Sequence, residues 1–551
     1  MTKITTKTTS IGTWRPAGDL PNTEDGAFSQ ALRQLDHPLY AVDVDGRPGV
    51  ARDGSAILGN QESSSANGYP LLGWSPPLPL ESLGDPGFKK DHGLRLAYVC
   101  GAMANGITSV EMVEAAARAG MIGFFGAGGL SIAQIEAAID RLSSSLGELP
   151  YGFNLIHSPN DMTLEQQTVD LYLAKGIRLV SASAYLDLTT PLVQYRVQGI
   201  HQNAQGEIVC PNRIIAKVSR EEVARKFFAP PPEKHLQRLQ NQGIITSEQA
   251  ALALRIPMAQ DLTAEADSGG HTDNRPALCL FPTMLALRDE MARQYDYTIP
   301  LRVGLAGGIA TPQSAAAAFA MGAAYILTGS VNQSCQEADT SPLVKKMLAK
   351  ARQADIIMAP AADMFEMGVK VQVLKRGTMF SMRGARLYDI YRTYDRFEDV
   401  PEDQRKLVEG SFLKCSFDQE WRNTRTFFLE RDPSQVDRAE KDPKHKMALV
   451  FRSYLGRASL WAKSGVADRA IDYQIWCGPA MGAFNEWVRG SFLEAPENRK
   501  TVTVAKNLLY GAAVLLRLSS LKSQGFSLDE GDFRIEPMSG EELDRMAGGI
   551  S

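Results

Sequence analysis

The chain has 551 residues and a formal net charge of −4 at pH 7. This balance argues against nucleic acid or an anionic membrane surface as the main partner. The length exceeds that of one compact domain, so we expect a large domain with additions. The start of the chain, MTKITTKTTSIGTW, lacks the apolar core of a signal peptide. The longest apolar stretch, near residues 508–518, is interrupted by Arg517 and is expected to be too short to span a bilayer.

The six cysteines are scattered along the chain, and none of them forms a C-x-x-C pair. Disulfides and zinc are therefore not expected, and we predict no metal site. This use of cysteine is typical of the reducing cytoplasm, where we expect the protein to act.

Residues 1–93 are rich in Pro, Gly, Ser and Asp, and we interpret them as an N-terminal extension and not as an independent catalytic domain. A few short strands and turns are expected there. One of them is LYAVDVDG, in which the Asp-Gly pair predicts a hairpin turn.

From about residue 94 the chain alternates regularly between two patterns. LRLAYVCGA is a short apolar run, and SVEMVEAAARAG then has helical spacing and ends at Gly120. About eight such runs alternate with about eight helical segments over residues 94–354. Parallel strands with crossover helices produce this alternation, and its count and length predict a TIM (β/α)₈ barrel of the α/β class. A doubly wound open sheet is the structural alternative.

Two stretches do not follow the alternation. Residues 221–258 form a polar, helix-rich insertion between the fifth and sixth strands. Residues 355–551 form a long C-terminal region that is mostly helical by pattern, with aromatic and charged residues interleaved. This region is long enough to be a helical subdomain.

Two glycine-containing strand ends predict a phosphate site. In a (β/α)₈ barrel the active site lies at the carboxyl ends of the strands, and the loops after strands seven and eight often bind phosphate. Glycines let backbone N–H groups approach an anion closely. Alone, each motif is common at structural strand–helix turns. Together they predict a phosphate site made of Ala306, Gly307, Gly308, Gly329 and Ser330.

Three other strand ends carry candidate cofactor contacts. The segment after strand one, which contains Ala102 and Met103, is rich in small residues that let a flat ring lie against the backbone. Asn154 ends strand three, and Lys217 ends strand five. A lysine in the apolar run IIAKVS is costly unless its charge has a partner. The alternatives to a role at the cofactor are a snorkelling side chain and a salt bridge to a neighbouring strand-end carboxylate.

His271 lies in the segment ADSGGHTDN, at the predicted end of strand six. Taken alone, this segment indicates a turn with a surface histidine. At the mouth of a barrel it becomes a candidate catalytic position, and Gly270 belongs to the turn that lets the imidazole face a flat ring. His157, at the end of strand three, is a second candidate, and its alternative is a hydrogen-bonded structural histidine.

The strand-end motifs, taken in order, resemble a known family. AMANGITS, GFFGAGGLS, YGFNLIHS, EADSGGH, GLAGGIATP and LTGS resemble the nitronate monooxygenase-like FMN barrels over roughly residues 94–345. That group includes the flavin-dependent bacterial enoyl-ACP reductases. NLIHSPND, ADSGGHTDNRP, VLKRGTMFSMRGARLYDIYRTYDRFE and QIWCGPAMGAFNEWV resemble one branch over nearly the whole chain. These are the PfaD-type trans-acting enoyl reductases of polyunsaturated fatty acid and polyketide synthases.

The resemblance implies FMN and NADPH as cofactors and trans-2-enoyl chains on acyl carrier protein as substrates. Met103 and Asn154 would contact the flavin ring, and Lys217 would lie at its pyrimidine edge, where a cation stabilises the reduced ring. His271 matches the active-site histidine, with proton donation or substrate orientation as its expected role. The phosphate would be held by Gly307, Gly308, Gly329 and Ser330.

One departure from the family pattern is visible. The superfamily usually has a glycine two residues after the histidine, whereas Thr272-Asp273-Asn274 follows here. The departure puts simple nitroalkane oxidation in doubt and suggests a reshaped substrate mouth. A nitronate monooxygenase-type oxidase and a non-catalytic FMN-binding scaffold subunit are the alternative functions. Carrier-protein binding, closure of the site and a homodimer interface all remain open for the insertion and the C-terminal region.

Overall fold

Eight parallel strands close into a barrel in the computed structural model, which describes residues 9–59, 68–157, 162–526 and 534–546. Neighbours in the barrel are neighbours in the chain, and the eighth strand pairs with the first. Barrel strands 1 to 8 are Tyr98–Cys100, Ile122–Phe125, Gly152–Ile156, Leu179–Ser183, Arg213–Val218, Asp261–Glu265, Arg302–Ala306 and Ile326–Thr328. The predicted (β/α)₈ barrel is confirmed, and closure rules out the open sheet.

Burial on both faces explains why these strands are continuous apolar runs. Val99, Phe124 and Ile215 are at most 1% exposed, although they come from three different strands. Parallel strands whose two faces are both covered lack the alternation of apolar and polar residues that marks a half-exposed strand. The register sets the strand ends side by side, with Asn154 opposite Ser181 and Lys217 opposite Thr263.

A helix follows each barrel strand, and hydroxyl side chains cap several of these helices. Ser109 accepts a hydrogen bond from the backbone N–H of Met112, and Ser131 forms a capping box with Gln134. The helices after strands 1 to 7 are Val110–Arg118, Ile132–Leu146, Met162–Ala174, Thr190–Val197, Glu221–Phe228, Ala277–Tyr295 and Pro312–Ala320. After strand 8 come Ser330–Gln333 and Pro342–Ala349.

The predicted insertion at 221–258 is helical. After Glu221–Phe228 it contains the helices Glu233–Asn241 and Ser247–Ala253. Leu236 and Leu239 are buried on one side of the first of these, which leaves its polar side exposed. A separate two-stranded ribbon, His201–Gln202 with Ile208–Val209, precedes barrel strand 5.

The C-terminal region starts with strands, which the mostly helical prediction missed. Ile356–Pro360 and Lys370–Leu374 pair antiparallel, and the two-residue strand Gly270–His271 adds to the second of them. The strand pattern is weak because only the five residues KVQVL carry it. His271 therefore lies in a strand, and the expected loop is replaced by a three-stranded sheet.

Helices make up most of the remaining C-terminal region, as predicted. They are Phe380–Thr393, Glu402–Leu407, the π-helix Val408–Leu413, Phe417–Arg431, Pro433–Ala439, Pro443–Ser464, Ala480–Val488, Thr501–Ser523 and Gly540–Met546. Phe365, Phe380, Phe397 and Phe451 belong to one buried apolar cluster that joins the strands to these helices. The sheet that carries His271 thus shares a core with helices more than a hundred residues away in the chain.

The chain divides into two compact units. One comprises Met1–Tyr98, Ala310–Ile326 and Trp487–Ser551, and the other comprises Val99–Ile309 and Leu327–Glu486. The predicted boundaries after residues 93 and 354 stay predictions.

The first unit contains a five-stranded antiparallel sheet. Its strands, in spatial order, are Arg47–Ala51, Leu39–Val44, Tyr69–Ser75, Gly12–Arg15 and Ser55–Leu58, and its helices include Ala27–Arg33 and Pro86–His92. Trp14, Val42 and Leu71 are fully buried in its core. Asp45 and Gly46, with φ of 53° and 79°, form the predicted hairpin turn.

The apolar stretch near residues 508–518 is part of a 23-residue helix, Thr501–Ser523. By length and composition this whole helix could cross a membrane, whereas the apolar stretch is only part of it. The less apolar residues on both sides of the stretch continue the same helix. Of its most apolar window, 72% is buried inside the protein, and Gly511 packs closely against Pro312. This burial is typical of a core helix.

Candidate active site

The residues predicted for the site lie where the carboxyl ends of six barrel strands meet. Ala102 and Met103 follow strand 1, Asn154 lies in strand 3, and Lys217 lies in strand 5. Strand 6 leads to Gly270 and His271, strand 7 ends at Ala306 and is followed by Gly307 and Gly308, and strand 8 leads to Gly329 and Ser330. The carboxyl ends of parallel barrel strands share one face, which is the usual place of the active site in this fold.

The glycines after strands 7 and 8 differ in what surrounds them. Gly308 has a φ of 77°. A Cβ atom added to Gly308 or to Gly329 would meet no neighbouring atom within 4 Å. Their backbone N–H groups, among the residues that the structure describes, have no hydrogen-bond acceptor. A Cβ on Gly307 would instead lie 2.6 Å from the carbonyl carbon of Ala266. Gly307 therefore permits a close backbone contact, whereas Gly308 and Gly329 border open space.

Ser330 is connected to the C-terminal region. Its Oγ accepts a hydrogen bond of 3.0 Å from the backbone N–H of Gly478. The Ser330 hydroxyl keeps its own proton available for donation, because a hydroxyl can accept and donate at once. Ser330 can thus donate to an anion while it is held by Gly478.

The loop after strand 1 is folded around Thr108. The Thr108 hydroxyl donates to the carbonyl of Gly101 at 2.7 Å and accepts from the backbone N–H of Met103 at 2.9 Å. A Cβ on Gly126 would collide with the carbonyl of Met103, so the loops after strands 1 and 2 are in close contact. Ala102 and Met103 remain partly exposed. This arrangement leaves a section of backbone against which a flat ring can lie.

Asn154 is 4% exposed and is held by the next strand. Its Nδ2 donates to the carbonyl of Ser181 at 3.0 Å and to the hydroxyl of Ser183 at 2.8 Å. Its Oδ1 accepts no hydrogen bond from a described residue. This oxygen faces Gly128, where an added Cβ atom would lie 3.5 Å from it. Asn154 therefore presents an oriented acceptor at the barrel mouth.

Lys217 has the partner that its position in an apolar strand requires. Its Nζ is 2.6 Å from Oε1 of Glu265, the last residue of strand 6, and both side chains are less than a quarter exposed. The same carboxylate oxygen accepts a hydrogen bond of 3.0 Å from Ser268. Among the alternatives from the sequence, the salt bridge to a strand-end carboxylate is present, and it holds the ammonium at the mouth without excluding a cofactor contact.

His271 forms an ion pair with a residue far away in the chain. Its Nε2 is 3.1 Å from Oδ1 of Asp363, and both side chains are about half exposed. Partial desolvation by the surrounding protein lowers the pKa of His271, but the hydrogen bond and charge of Asp363 more than offset this, so the pKa lies above its usual value. Lys217 and Glu265 also act on this pKa, in opposite directions, which places all four charges within electrostatic range.

The Gly-Gly pair before His271 packs against Trp476–Gly478. A Cβ on Gly269 would lie 2.8 Å from the backbone nitrogen of Cys477, and Gly270 has a φ of 79°. The backbone N–H of Cys477 also donates to the carbonyl of Gln372. Only glycine allows so close an approach of two backbones, so this pair fixes the strand that carries His271.

The three residues after His271 are bound to their surroundings. Asp273 accepts hydrogen bonds from the guanidinium of Arg220 at 2.9 Å and from the hydroxyl of Ser219 at 2.6 Å. Asn274 donates to Asp267 and Gln372, and Thr272 Oγ1 accepts from the backbone N–H of Ser268. The residues that depart from the family pattern, Thr272-Asp273-Asn274, therefore anchor the loop after His271. Whether the loop also selects substrate stays a prediction.

His157 pairs with a buried carboxylate beside barrel strand 3. Its Nδ1 is 2.9 Å from Oε2 of Glu165, which is fully buried at its side chain. Tyr185 and Thr189 both donate to the other carboxylate oxygen. His157 is therefore hydrogen-bonded, as expected for a structural histidine, which was the alternative to a catalytic role. The motif NLIHSPND continues through residues 158–161, which lie outside the described residues.

These contacts fit a flat cofactor that carries a phosphate. Gly308 and Gly329 offer free backbone donors beside open space, and Asn154 and Lys217 offer an acceptor and a cation for a ring. FMN has both parts, a phosphate and a ring with polar edges. Among the described residues there is no group of three His, Cys, Asp or Glu side chains that could hold a metal ion.

Comparison with known families gives two matches. The nitronate monooxygenase family model matches residues 95–386, slightly more than half of the chain. The model of the inserted helical domain of acyl-carrier-protein S-malonyltransferases matches residues 394–473. The second match falls on helices of the C-terminal region, where the sequence pattern predicted helices but no known domain.

Curated relatives are named for polyunsaturated fatty acid synthase or for polyketide biosynthesis. The chain is 44% identical over 499 residues to a polyunsaturated fatty acid synthase component of Thraustochytrium, and the match covers 89% of this chain and 33% of that protein. It is 45% identical over 452 residues to the polyketide biosynthesis protein PksE of Bacillus subtilis, covering 82% of this chain and 58% of that protein. The chain thus spans a third to about three fifths of the length of these relatives.

One solved structure is matched over nearly its whole length. The enoyl reductase domain of MlnA, from the macrolactin biosynthesis cluster of Bacillus amyloliquefaciens, is 40% identical with a TM-score of 0.77. The match covers 80% of this chain and 99% of that one. The family match and the MlnA domain identify an oxidoreductase built on a (β/α)₈ barrel. The chain belongs to the nitronate monooxygenase-like family and, within it, to the branch of PfaD-type enoyl reductases.

Three parts of the site were missed from the sequence. Each of them contacts a predicted site residue from at least 48 positions away in the chain: they are Glu265, Asp363 and the segment Trp476–Gly478. The last two lie in the C-terminal region, which was predicted only as a mostly helical subdomain. Glu265 had a usable signal, because a strand-end carboxylate was named as an alternative partner for Lys217. Asp363 had none, since a lone aspartate in a loop is common.

Proposed function

We propose that the chain is an FMN-dependent enoyl-thioester reductase that uses NADPH and reduces trans-2-enoyl chains on acyl carrier protein. The observation that carries this proposal is the 40% identity over 99% of the MlnA enoyl reductase domain. The relatives named for polyunsaturated fatty acid synthase and for polyketide biosynthesis support a place in one of these two kinds of biosynthesis, where we propose that the chain acts in trans. We propose the cytoplasm as its location, since all six cysteines are free.

Bound FMN would supply hydride chemistry, with NADPH as the source of the hydride. The chain's own residues bind and orient. The N–H groups of Gly308 and Gly329, the hydroxyl of Ser330 and the close contact at Gly307 and Ala306 would hold the phosphate. Ala102, Met103, Asn154 and Gly270 would border the ring, and the Lys217 ammonium would stabilise negative charge at its pyrimidine edge. His271 would give a proton to the substrate α-carbon.

The test is anaerobic stopped-flow absorbance of the FMN-loaded protein. We expect fast bleaching by NADPH and fast recovery of the flavin band on addition of crotonyl thioester, carried on acyl carrier protein or on a pantetheine mimic. Faster recovery with the protein-bound substrate supports acyl carrier protein as the partner. Equal rates would contradict that part alone.

The two alternative functions give other outcomes. Recovery of the flavin band only with O₂, together with turnover of a nitronate, would indicate an oxidase. The match to the nitronate monooxygenase family is the reason to test for it. A colourless protein that cannot be reconstituted with FMN would indicate a scaffold role. Either result would overturn the proposal.

A further inference from the structure

The hairpin that carries Asp363 also holds the backbone of His271. Strand Gly270–His271 pairs with Lys370–Leu374, with His271 opposite Val371. Lys370–Leu374 pairs in turn with Ile356–Pro360, and Asp363 lies in the connection between these two strands. One element therefore fixes both the position of the His271 backbone and the carboxylate that contacts its ring.

The contact with Asp363 distinguishes the two ring nitrogens of His271. Nε2 is 3.1 Å from the carboxylate of Asp363. Nδ1 has no hydrogen-bond partner in the part of the chain that the structure describes. A protonated imidazole donates from both nitrogens. With Nε2 bound to the carboxylate, Nδ1 is the nitrogen left to serve a ligand.

The surrounding charges support a protonated ring. The charged groups that act on His271 are Asp363 from the hairpin, Glu265 from the end of strand 6 and Lys217 from strand 5. Two of the three are carboxylates, and Lys217 is itself neutralised by Glu265. In the pair, desolvation raises the pKa of Asp363, but the hydrogen bond and charge of His271, together with backbone N–H groups, outweigh it, so this pKa is lowered. Each partner stabilises the charged form of the other.

We propose that Asp363 is a positioning residue that holds His271 with Nδ1 towards the substrate, and that Nδ1 is the atom that donates the proton in enoyl reduction. The inference rests on the proposed function. The bound cofactor would supply a hydride to the β-carbon, and the two electrons of the π bond would move to the α-carbon. The Nδ1 proton then forms the α-carbon–hydrogen bond. His271 is left neutral, with Nε2 still bound to Asp363, until solvent returns a proton to Nδ1.

The first test is an NMR titration of histidine-labelled protein, which is practical because the chain has seven histidines. The signal of His271 is assigned by its loss in His271→Ala. We expect Asp363→Asn, which preserves shape, to shift the pKa of His271 downward. Asp395→Asn serves as the matched control, because Asp395 is an exposed carboxylate paired with Lys444. An unchanged His271 pKa in Asp363→Asn would overturn the proposal.

The second test follows kcat against pH. We expect Asp363→Asn to keep its FMN and its KM, to lose kcat about tenfold at pH 8 and to lose less at pH 6, where the ring is protonated without help. Asp363→Glu should restore part of kcat. A loss equal at both pH values would indicate a merely structural role and would contradict the inference.

The two tests separate this inference from the proposed function. If the wild-type protein lacks enoyl turnover, the proposed function fails while the titration still reports whether Asp363 controls the His271 ring. If turnover is normal and the titration shows no coupling, only the role of Asp363 fails.

Discussion

Lys217 illustrates how a single residue can have a structural and a functional contact together. Its ammonium is 2.6 Å from the carboxylate of Glu265, and this pairing reduces the cost of a cation at the end of an apolar strand. A compensated cation is held in place before any ligand binds. Such preorganised charge is what stabilises a developing negative charge in an active site.

Removal of the Lys217 charge should make reduction of bound FMN harder. We expect Lys217→Met to lower the two-electron reduction potential by about 30 mV, equivalent to ~1.4 kcal/mol. The measurement is a redox titration of the FMN-loaded protein. Glu265→Gln is the matched variant and should raise the potential, since it leaves the ammonium uncompensated. Identical potentials in all three proteins would remove Lys217 from the flavin edge.

His271 should affect catalysis and leave flavin binding intact. We expect His271→Ala to retain its yellow colour and to lose enoyl reduction by roughly 10²-fold, the range for loss of a general acid. Turnover with NADPH and crotonyl thioester measures this. His201→Ala, an exposed histidine on the ribbon before strand 5, is the control. Unchanged turnover in His271→Ala would turn attention to His157 and its buried partner Glu165.

At the scale of elements, the glycines after strands 7 and 8 differ in their surroundings: Gly307 is in close contact with backbone, whereas Gly329 borders open space. Substitution of Gly307 would force a side chain into the backbone of Ala266, so loss of flavin there would report on folding as well as on binding. Gly329 has a negative φ of −129° and open space at its Cβ position. It is therefore the sharper position for a test.

A methyl group at Gly329 should weaken FMN binding without destabilising the fold. We expect Gly329→Ala to raise the Kd for FMN about tenfold, or ~1.4 kcal/mol, because the methyl group would occupy the space in front of the backbone donors. Flavin fluorescence titration measures the Kd, and thermal unfolding of the apoprotein checks the fold. Gly410→Ala, at an exposed glycine with open space, is the control. Equal FMN affinity would contradict the phosphate site.

Helix Pro443–Ser464 supports the loop after barrel strand 1. Lys463 donates to the carbonyl of Asn105 at 2.6 Å and pairs with Asp339 at 2.8 Å. Asn105 has a φ of 58° and also bonds Ser459 of the same helix. A non-glycine residue in this conformation is strained, so external contacts are needed to hold it.

Loss of the Lys463 contact should therefore weaken FMN binding from a distance. We expect Lys463→Met to raise the Kd for FMN several-fold, since the loop carrying Met103 loses a charge-assisted hydrogen bond of about 1.5–3 kcal/mol. Fluorescence titration again provides the readout. Lys441→Met, at an exposed lysine, should bind FMN like the wild type. Wild-type affinity in Lys463→Met would show that the loop holds its shape unaided.

At the scale of the whole molecule, the barrel depends on the region that follows it in the chain. The C-terminal hairpin pairs with the His271 strand, and Gly478 binds Ser330. The long helix Thr501–Ser523 packs on Pro312–Ala320, the helix after strand 7. A barrel that has these neighbours removed exposes apolar surface and loses site contacts at the same time.

A chain ended after residue 354 should consequently fail as an isolated flavoprotein. We expect low soluble yield and loss of most bound FMN, because buried faces such as Gly511 against Pro312 would be opened to water. Soluble yield and the flavin-to-protein absorbance ratio measure the outcome. A soluble truncated chain with one FMN per protein would show that residues 1–354 fold and bind FMN without the C-terminal region, as the predicted boundary after residue 354 implies.

The sequence by itself determined the barrel and the residues at its strand ends. Apolar runs that are buried on both faces and glycines at strand ends are local signals, so Gly307, Gly308, Lys217 and His271 could be placed from spacing alone. The partners could not. Asp363 reaches His271 from 92 residues away, and Gly478 reaches Ser330 from 148 residues away. Contacts of this kind leave no local pattern, because they arise only when the C-terminal region packs against the mouth, and that packing was decided by the tertiary structure.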